Sequence, residues 1–506
     1  MKFLKPAMNR FLVVSIALLA QVGFLVVVSK VFEGSASEIN NLIRALSVLT
    51  VLFVINEKSN PAIKMAWVVF ILVTPIFGCI LYILMGGKRP RRHLRKACEN
   101  GERKNLAYRT KNDAVAEKLK IEDEGLYVQS RYLDNLRYPL YENTDATYYP
   151  SGETAFPAML REIEKAKHFI FLEYFIIDDG EMLTRLEAAL EKKVKEGVEV
   201  RFIYDDMGSV FSVPSGYEKK LKAKGIKCFS FNPYLPVISA AMNNRDHRKI
   251  LVVDSRVAFT GGINIADEYI NKIEKYGYWK DTVVKIEGDG ARAFTLMFLD
   301  LWYAFCNKDE DAEKFLVKTD FEGTAGGYVQ PFADTPLDDD TVGENVYLSA
   351  INNARKYIYI YTPYLIPDYE LNSALCLAAK KGVDVKIIVP GIPDKKIVYS
   401  MTKSYYRTLI NAGVEIYKFN PGFIHAKGFV CDDIISCAGT INLDFRSMCH
   451  HFECGCVFYK APVISQMKED MLKTLAECEK ITDFQRFNGF FGSTYHAILR
   501  LIAPLM

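Results

Sequence analysis

A four-residue pattern that occurs twice in the chain constrains its fold more than any other feature. In each copy a lysine follows a histidine by two positions, an aspartate follows the lysine by five, and an asparagine follows the aspartate by ten. The first copy consists of His247, Lys249, Asp254 and Asn264, and the second consists of His425, Lys427, Asp432 and Asn442. One match of this kind is weak evidence, but two copies at equal spacing indicate a duplicated domain with one chemical purpose.

The sequence around the two copies repeats as well. Residues 166–175 and 354–363 are β-rich runs that follow a helical pattern, and each precedes a second helical pattern and a strand that begins with Gly-Val. The order strand, helix, strand predicts parallel pairing in an α/β layer. A chain of 506 residues is also too long for one core. We therefore predict an α/β fold with two tandem domains, residues 145–325 and 326–506.

The histidine and lysine of each copy should share one face of a strand, because residues two apart project to the same side. An imidazole beside an ammonium group is unfavourable unless an anion lies between them, and a phosphate supplies that anion. One neutral histidine would then attack phosphorus, and the other, protonated, would donate a proton to the leaving alcohol. The two lysines, with Asn264 and Asn442, would bind the phosphate oxygens, so we expect no metal ion or other cofactor.

The nearby carboxylates have two predicted roles. A histidine nucleophile must be oriented through its other ring nitrogen, and Asp281 and Glu453, on the next strand-like run of each half, are the candidates. Asp254 and Asp432 belong to the catalytic motif but fall out of phase with the His-Lys face, so we interpret them mainly as structural carboxylates. The predicted catalytic motif residues are His247, Lys249, Asp254, His425, Lys427 and Asp432.

The first 87 residues predict a membrane anchor with two or three apolar segments. Residues 11–31 and 63–85 are apolar and long enough to span a bilayer, which requires about 20 residues. Residues 42–55 form a shorter stretch that spans only if it is extended or tilted. A cleaved signal peptide is the alternative for the first stretch, but no clean cleavage site follows it.

The charge pattern predicts the position of the rest of the chain. Six basic residues lie between Lys88 and Lys96, directly after the last apolar stretch, and favour a cytoplasmic flank beside anionic lipid headgroups. We interpret residues 88–144 as a basic juxtamembrane linker and expect the catalytic domains on the cytoplasmic side of the cell membrane. The eleven scattered cysteines fit a reducing compartment. A net charge of +3 favours no nucleic-acid partner, and nothing indicates the oligomeric state.

The duplicated pattern resembles that of the phospholipase D superfamily, whose H-x-K-x4-D motif occurs twice in its two-domain members. More local features resemble bacterial cardiolipin synthases, and they lie at residues 60–61, 81–86, 172–176, 245–249, 442–447 and 452–453. Two positions depart from that family, because Asp246 and His451 stand where it usually has asparagine. Both departures could alter the fit of a substrate.

This resemblance implies that the two halves form a pseudo-twofold pair with one pocket at their interface. It also implies that two phosphatidylglycerol molecules are converted into cardiolipin and glycerol at the membrane. By analogy with the family, His247 would be the nucleophile and His425 the general acid.

Three other interpretations stay open on the sequence alone. The chain could hydrolyse phospholipids as a membrane-bound phospholipase D, or use phosphatidylethanolamine as donor. A nuclease would call for basic stripes with interleaved aromatic residues along the domains, which the sequence lacks. The third is a metal-binding or non-enzymatic membrane protein. Its zinc site would be built from a cluster whose spacing fits no common zinc finger, namely Cys449, His450, His451, Cys454 and Cys456.

Overall fold

The computed structural model describes residues 15–16, 19–24, 26–31, 37–86, 92–214, 216–235, 240–306, 310–317, 321–482 and 490–505. The N-terminal part includes the helices α1 (Ser37–Asn56), α2 (Pro61–Val73) and α3 (Pro75–Leu81), and a π-helical turn at Tyr82–Gly86. The side chain of Asn60 caps α2 by accepting a hydrogen bond from the Ala62 N–H at 3.0 Å. Its amide also donates to Asp368 at 2.9 Å, which ties this helical unit to the second half of the chain.

Two of the apolar stretches predicted as membrane spans, residues 42–55 and 63–85, fall on these helices. Within the part of the chain that the structure describes, we find no helix whose length and apolar character together would suffice to cross a membrane. The apolar stretch at residues 11–31 lies partly outside the described residues.

The segment predicted as a linker, residues 88–144, is largely helical and packed. Its helices are α4 (Arg92–Asn105), α5 (Asp113–Glu122) and α6 (Glu124–Asn135). They bury Leu94, Leu119, Leu126 and Leu133 in the main hydrophobic core. A Cβ added at Gly101 would lie 2.1 Å from the carbonyl oxygen of Asp300, so α4 lies directly against its neighbouring helix. Residues 92–135 therefore form packed helices, because their apolar residues recur at helical spacing and are buried.

The first half of the duplicated body contains a seven-stranded mixed sheet in the order β1-β9-β7-β6-β2-β3-β4. The strands of this half, of which β5 and β8 lie outside that sheet, are β1 (Thr144–Tyr149), β2 (Phe169–Tyr174), β3 (Glu199–Asp205), β4 (Lys227–Phe231), β5 (Arg245–Asp246), β6 (Ile250–Val253), β7 (Val257–Gly261), β8 (Tyr278–Lys280) and β9 (Val283–Gly288). Its helices are α7 (Gly152–Lys165), α8 (Glu181–Lys195), α9 (Asp206–Ser209), α10 (Tyr217–Ala223) and α11 (Ala291–Phe305). Strands β2, β3 and β4 pair in parallel, as the strand-helix-strand order predicts.

The second half repeats this topology in the order β10-β17-β16-β15-β11-β12-β13-β18. Its strands are β10 (Tyr328–Asp334), β11 (Tyr357–Tyr361), β12 (Asp384–Pro390), β13 (Glu415–Phe419), β14 (Gly422–Ile424), β15 (Gly428–Cys431), β16 (Ile435–Gly439), β17 (His451–Tyr459) and β18 (Cys478–Lys480). Its helices are α12 (Val342–Asn353), α13 (Tyr369–Lys380), α14 (Lys396–Asn411), α15 (Phe445–Cys449), α16 (Val463–Ala476) and α17 (Phe490–Ile502). Seven strands match the first half position by position, which confirms two α/β halves of one design.

One hydrophobic cluster extends through both halves. One continuous cluster of buried side chains includes Ile250 and Val284 from the first sheet and Phe429 and Cys454 from the second. Two pairs of strands also join the halves. Strand β5 of the first half pairs with β17 of the second, and β8 of the first half pairs with β14 of the second, both in parallel. Because β5 and β14 occupy equivalent places in the two halves, these two ladders are related by the pseudo-twofold arrangement. They fix the positions of the two histidines that follow β5 and β14.

Candidate active site

The first His-Lys segment follows β5 and lies against the other half of the protein. Arg245 and Asp246 of β5 pair with His451 and Phe452 of β17. The backbone N–H of His247 then donates to the carbonyl of Phe452 at 2.9 Å. His247 is therefore held by a strand that belongs to the second half.

The second His-Lys segment is held in the equivalent way. Strand β14 pairs along its length with β8 of the first half. The backbone N–H of His425, which follows β14, donates to the carbonyl of Lys280 at 2.7 Å. Each histidine is thus positioned by main-chain hydrogen bonds from the opposite half, which places both at the interface.

The two predicted orienting carboxylates each serve the histidine of the opposite half. Nδ1 of His247 lies 2.9 Å from both carboxylate oxygens of Glu453, and Nδ1 of His425 lies 2.6 Å from Oδ2 of Asp281. An ionised carboxylate only accepts hydrogen bonds, so Nδ1–H donates in both pairs and Nε2 keeps its lone pair. The hydroxyl of Thr440 donates to Glu453, and the Thr282 N–H donates to Asp281 at 2.8 Å.

The two motif lysines are buried beside their histidines. Lys249 and Lys427 are only 1% and 2% exposed, and each ammonium group donates to the backbone carbonyl of the histidine two residues earlier. Burial lowers the pKa of Lys249 to about 8 and that of Lys427 to about 7, although nearby carboxylates partly oppose the shift. A phosphate bound between these ammonium groups would favour their charged form.

The four basic groups lie close enough to influence one another. Burial lowers the pKa of His247 well below its ordinary value, and the charges of Lys249, Lys427 and His425 lower it further. Burial and Lys427 lower the pKa of His425 to about 4, while Asp281 partly offsets the shift. Basic side chains from both halves therefore lie near one another, and a bound anion would stabilise their charged forms.

The two predicted phosphate-binding asparagines are not in equivalent environments. Oδ1 of Asn264 accepts from the Ile176 N–H at 3.0 Å, and its amide donates to the hydroxyl of Tyr269 at 2.6 Å. Oδ1 of Asn442, by contrast, is buried without a hydrogen-bond partner among the described residues. The ring of Tyr269 lies 5.4 Å from that of His425, so this tyrosine is a further part of the pocket wall. No sequence signal singles out Tyr269.

The motif aspartates lie at the far end of the strands that follow the histidines. The carboxylate of Asp254 accepts three backbone N–H groups, those of residues 167–169, and Asp432 accepts those of residues 355–357. Both residues adopt positive φ angles, 54° and 53°, in the turns they stabilise. The oxygens of both carboxylates are thus occupied by the start of the neighbouring strand, which supports a structural role for these two motif residues rather than contact with a substrate.

The two departures from the family pattern have different surroundings. Asp246 is fully buried and accepts from Nε of Arg248 at 3.1 Å, and this arginine also pairs with Glu173 at 2.6 Å. His451 lies in the pocket itself, with its ring 5.4 Å from that of His247. In the sequence, His451 stands out only because it replaces the asparagine usual in the family and because it belongs to a possible zinc cluster with nearby cysteines. Among the residues described, no group with metal-ligating geometry includes a cysteine.

A cavity of about 920 Å³ lies between the N-terminal helices and the second half of the chain. Its wall combines apolar residues of those helices, such as Ile63 and Trp67, with acidic residues of the second half, such as Glu344 and Asp368. Met448 of α15, three residues before His451, also lines it. The helical N-terminal unit therefore forms one wall of a chamber whose other wall belongs to the second half.

The fold and the paired His-Lys segments define a two-domain phospholipase D-like protein. The "Cardiolipin synthase, PLD-like domain" family matches residues 159–279 and 347–475, and the "Phospholipase_D-nuclease N-terminal" family matches residues 45–87. A Geobacillus protein named cardiolipin synthase is 33% identical over 505 residues, which cover 99% of this chain and 100% of that protein. The chain belongs to the cardiolipin synthase family.

Two further proteins show how far this similarity extends. A Streptococcus mutans protein with the description "Uncharacterized protein" is 44% identical over 459 residues, 90% of this chain and 99% of that protein. The crystal structure of phosphatidylserine synthase from Haemophilus influenzae matches with a TM-score of 0.56 at 14% identity, over 74% of this chain and 98% of that chain. At this identity the structural likeness concerns the fold alone.

Proposed function

We propose that this chain is a cardiolipin synthase that transfers a phosphatidyl group from one phosphatidylglycerol molecule to another, releasing glycerol. The observation that carries the proposal is the crossed arrangement at the interface, where each half orients the histidine of the other. His247 with Glu453 and His425 with Asp281 form two imidazole–carboxylate pairs around one basic pocket. Such a pocket suits a phosphodiester and a two-step transfer with one nucleophile and one general acid.

In the first step, Nε2 of His247 attacks the phosphorus of the donor lipid and forms an N–P bond. The P–O bond to glycerol breaks, and protonated His425 gives its proton to the departing oxygen. Burial and Lys427 lower the pKa of His425 in the empty pocket, so the bound phosphate anion is what stabilises the protonated form that this step requires. The ammonium groups of Lys249 and Lys427 stabilise the negative charge on the nonbridging oxygens.

In the second step, a hydroxyl of the second phosphatidylglycerol attacks the phosphohistidine. Neutral His425 accepts the proton of that hydroxyl, the new P–O bond forms, and the N–P bond to His247 breaks. Cardiolipin leaves, and both histidines return to their initial protonation states. Asp281 makes His425 the more readily protonated histidine, because its carboxylate opposes the lowering of the His425 pKa. Burial and the surrounding positive charges keep His247 neutral.

A membrane position supports this chemistry, because a transferase must favour a lipid alcohol over water. We propose that residues 1–87 anchor the chain in the cell membrane and that the catalytic halves lie on its cytoplasmic side. Exposed apolar side chains of α1, including Leu49, Leu52 and Phe53, would face lipid. The cavity between the N-terminal unit and the second half offers space for the acyl chains of a substrate.

The proposal is tested with the purified full-length chain in vesicles that contain labelled phosphatidylglycerol. Cardiolipin and free glycerol should form in equal amounts, and a His247→Asn variant should form neither. Vesicles with labelled phosphatidylethanolamine test the alternative donor. Phosphatidic acid as the main product, without cardiolipin, would show a hydrolase instead.

The roles of the two histidines are tested by trapping the intermediate. A His425→Ala variant should accumulate the phosphatidyl adduct when the leaving group needs no proton, and peptide mapping should locate the adduct on His247. An adduct on His425 in the unaltered protein would reverse the two roles.

A further inference from the structure

His451 is a buried imidazole that the proposed reaction does not use. Its side chain is only 8% exposed, and both ring nitrogens lack a hydrogen-bond partner among the described residues. Nδ1 lies 3.7 Å from Oε1 of Glu453, too far for a hydrogen bond. Leaving a polar ring buried and unsatisfied costs free energy, which suggests that it has a ligand.

The three side chains around this position have the spacing of a metal site. One ligand atom from each of His247, His451 and Glu453 can be chosen so that all lie within 4.8 Å of one another. A tetrahedral ion with bonds of about 2.0–2.1 Å requires ligand atoms about 3.3 Å apart. The carboxylate oxygen Oε1 of Glu453 lies 2.9 Å from Nδ1 of His247 and 3.7 Å from Nδ1 of His451, which brackets that separation.

The surrounding structure fixes these ligands in place. Glu453 accepts from the hydroxyl of Thr440. Strand β5 pairs with β17, and the backbone N–H of His247 donates to the carbonyl of Phe452, the residue next to His451. Two imidazoles and one carboxylate favour a transition-metal ion such as Zn²⁺ over Mg²⁺, which prefers oxygen ligands and retains its water. A fourth position would be filled by water.

We propose that His247, Glu453 and His451 form an inhibitory site for Zn²⁺ or a similar divalent transition-metal ion. This inference rests on the proposed function to the extent that His247 is the nucleophile. When the ion binds Nδ1 of His247, the proton of that nitrogen must move to Nε2, so the lone pair needed to attack phosphorus is lost. The ion also takes Glu453 from its orienting role. The metal is therefore a reversible inhibitor and not a cofactor of the transfer.

His451 is the residue that distinguishes this site. Without it, His247 and Glu453 would supply only two ligands, and asparagine, the residue that the resemblance implies is usual here, is a poor ligand for Zn²⁺. Inhibition of the transfer reaction by the metal should therefore depend on the side chain of His451.

The first experiment measures metal binding directly, without reference to catalysis. Chelator-treated full-length protein in neutral detergent micelles is titrated with Co²⁺ and with Zn²⁺, following the visible spectrum of bound Co²⁺ and the heat of Zn²⁺ binding. We expect one saturable site in the unaltered protein. His451→Asn should weaken binding at least about tenfold, since even loss of an outer partner of a metal ligand costs about 10–100-fold. His168→Asn, which removes an exposed imidazole elsewhere, is the matched control and should bind normally.

The second experiment measures inhibition of cardiolipin formation by Zn²⁺ and its reversal by a chelator. His451→Asn should shift half-inhibition to a concentration at least about tenfold higher, and Mg²⁺ should not inhibit. Equal Zn²⁺ binding and equal inhibition in both proteins, or no saturable site in the unaltered protein, would overturn the inference. If no cardiolipin forms but Co²⁺ binding still depends on His451, the metal site stands and the proposed function fails.

Discussion

Replacing Glu453 by glutamine tests the central feature of the site, the support of His247 by the opposite half. Glutamine preserves the volume but offers one acceptor oxygen and no charge, whereas both oxygens of Glu453 lie 2.9 Å from Nδ1 of His247. A hydrogen bond to a charged group contributes about 1.5–3 kcal/mol. Since about 1.4 kcal/mol corresponds to a tenfold change in rate, kcat should fall about 10- to 150-fold.

The assay is initial-rate cardiolipin formation in phosphatidylglycerol vesicles, with the phosphohistidine intermediate measured after rapid quenching. Glu453→Gln should slow formation of the intermediate, while thermal stability should confirm that the variant is folded. Glu187→Gln is a matched control, because Glu187 pairs with Lys220 and Lys224 away from the pocket. A kcat for Glu453→Gln within twofold of the unaltered value would refute the reasoning that the crossed carboxylate orients the nucleophile.

Three further predictions concern the same pocket. Lys249→Ala and Lys427→Ala should each reduce the rate at least about tenfold, because each removes a charged donor to the phosphate; near-normal turnover in either would contradict a shared pocket. Gly422→Ala should lower both melting temperature and kcat, because its Cβ would lie 2.3 Å from a carbonyl oxygen of β8. In Gly125→Ala the added Cβ would lie 3.3 Å from a side-chain oxygen, so neither the melting temperature nor kcat should change greatly. The free energy of unfolding should fall as the pH is lowered from 6.5 to about 4. The unfolded chain protonates His425 at its ordinary pKa of 6.5, whereas in the folded protein the pKa of His425 is about 4. The unfolded state binds more protons in that window, so stability rises with pH there; denaturant titrations should show a weaker dependence for His425→Gln, and an unchanged dependence would count against the buried histidine as its source.

The sequence by itself determined the duplication, the α/β class and the residues of the two motifs. Equal spacing of His247 and His425 with their lysines and asparagines identifies two copies of one design, and strand periodicity sets which side chains share a face. The same local patterns indicated parallel pairing after each helical crossover, which the sheets confirm. These features depend on residues close together in the chain, so periodicity and spacing are sufficient to predict them.

Only the tertiary structure decided which carboxylate serves which histidine and which residues beyond the motifs complete the pocket. Glu453 lies 206 positions from His247, and Asp281 lies 144 positions from His425. The pairing is crossed because β5 and β14 each leave their own sheet and pair with a strand of the opposite half. Contacts set by such packing have no periodic signal in the sequence, which is why the site of His451 and the packed helices of residues 92–135 became evident only in the folded chain.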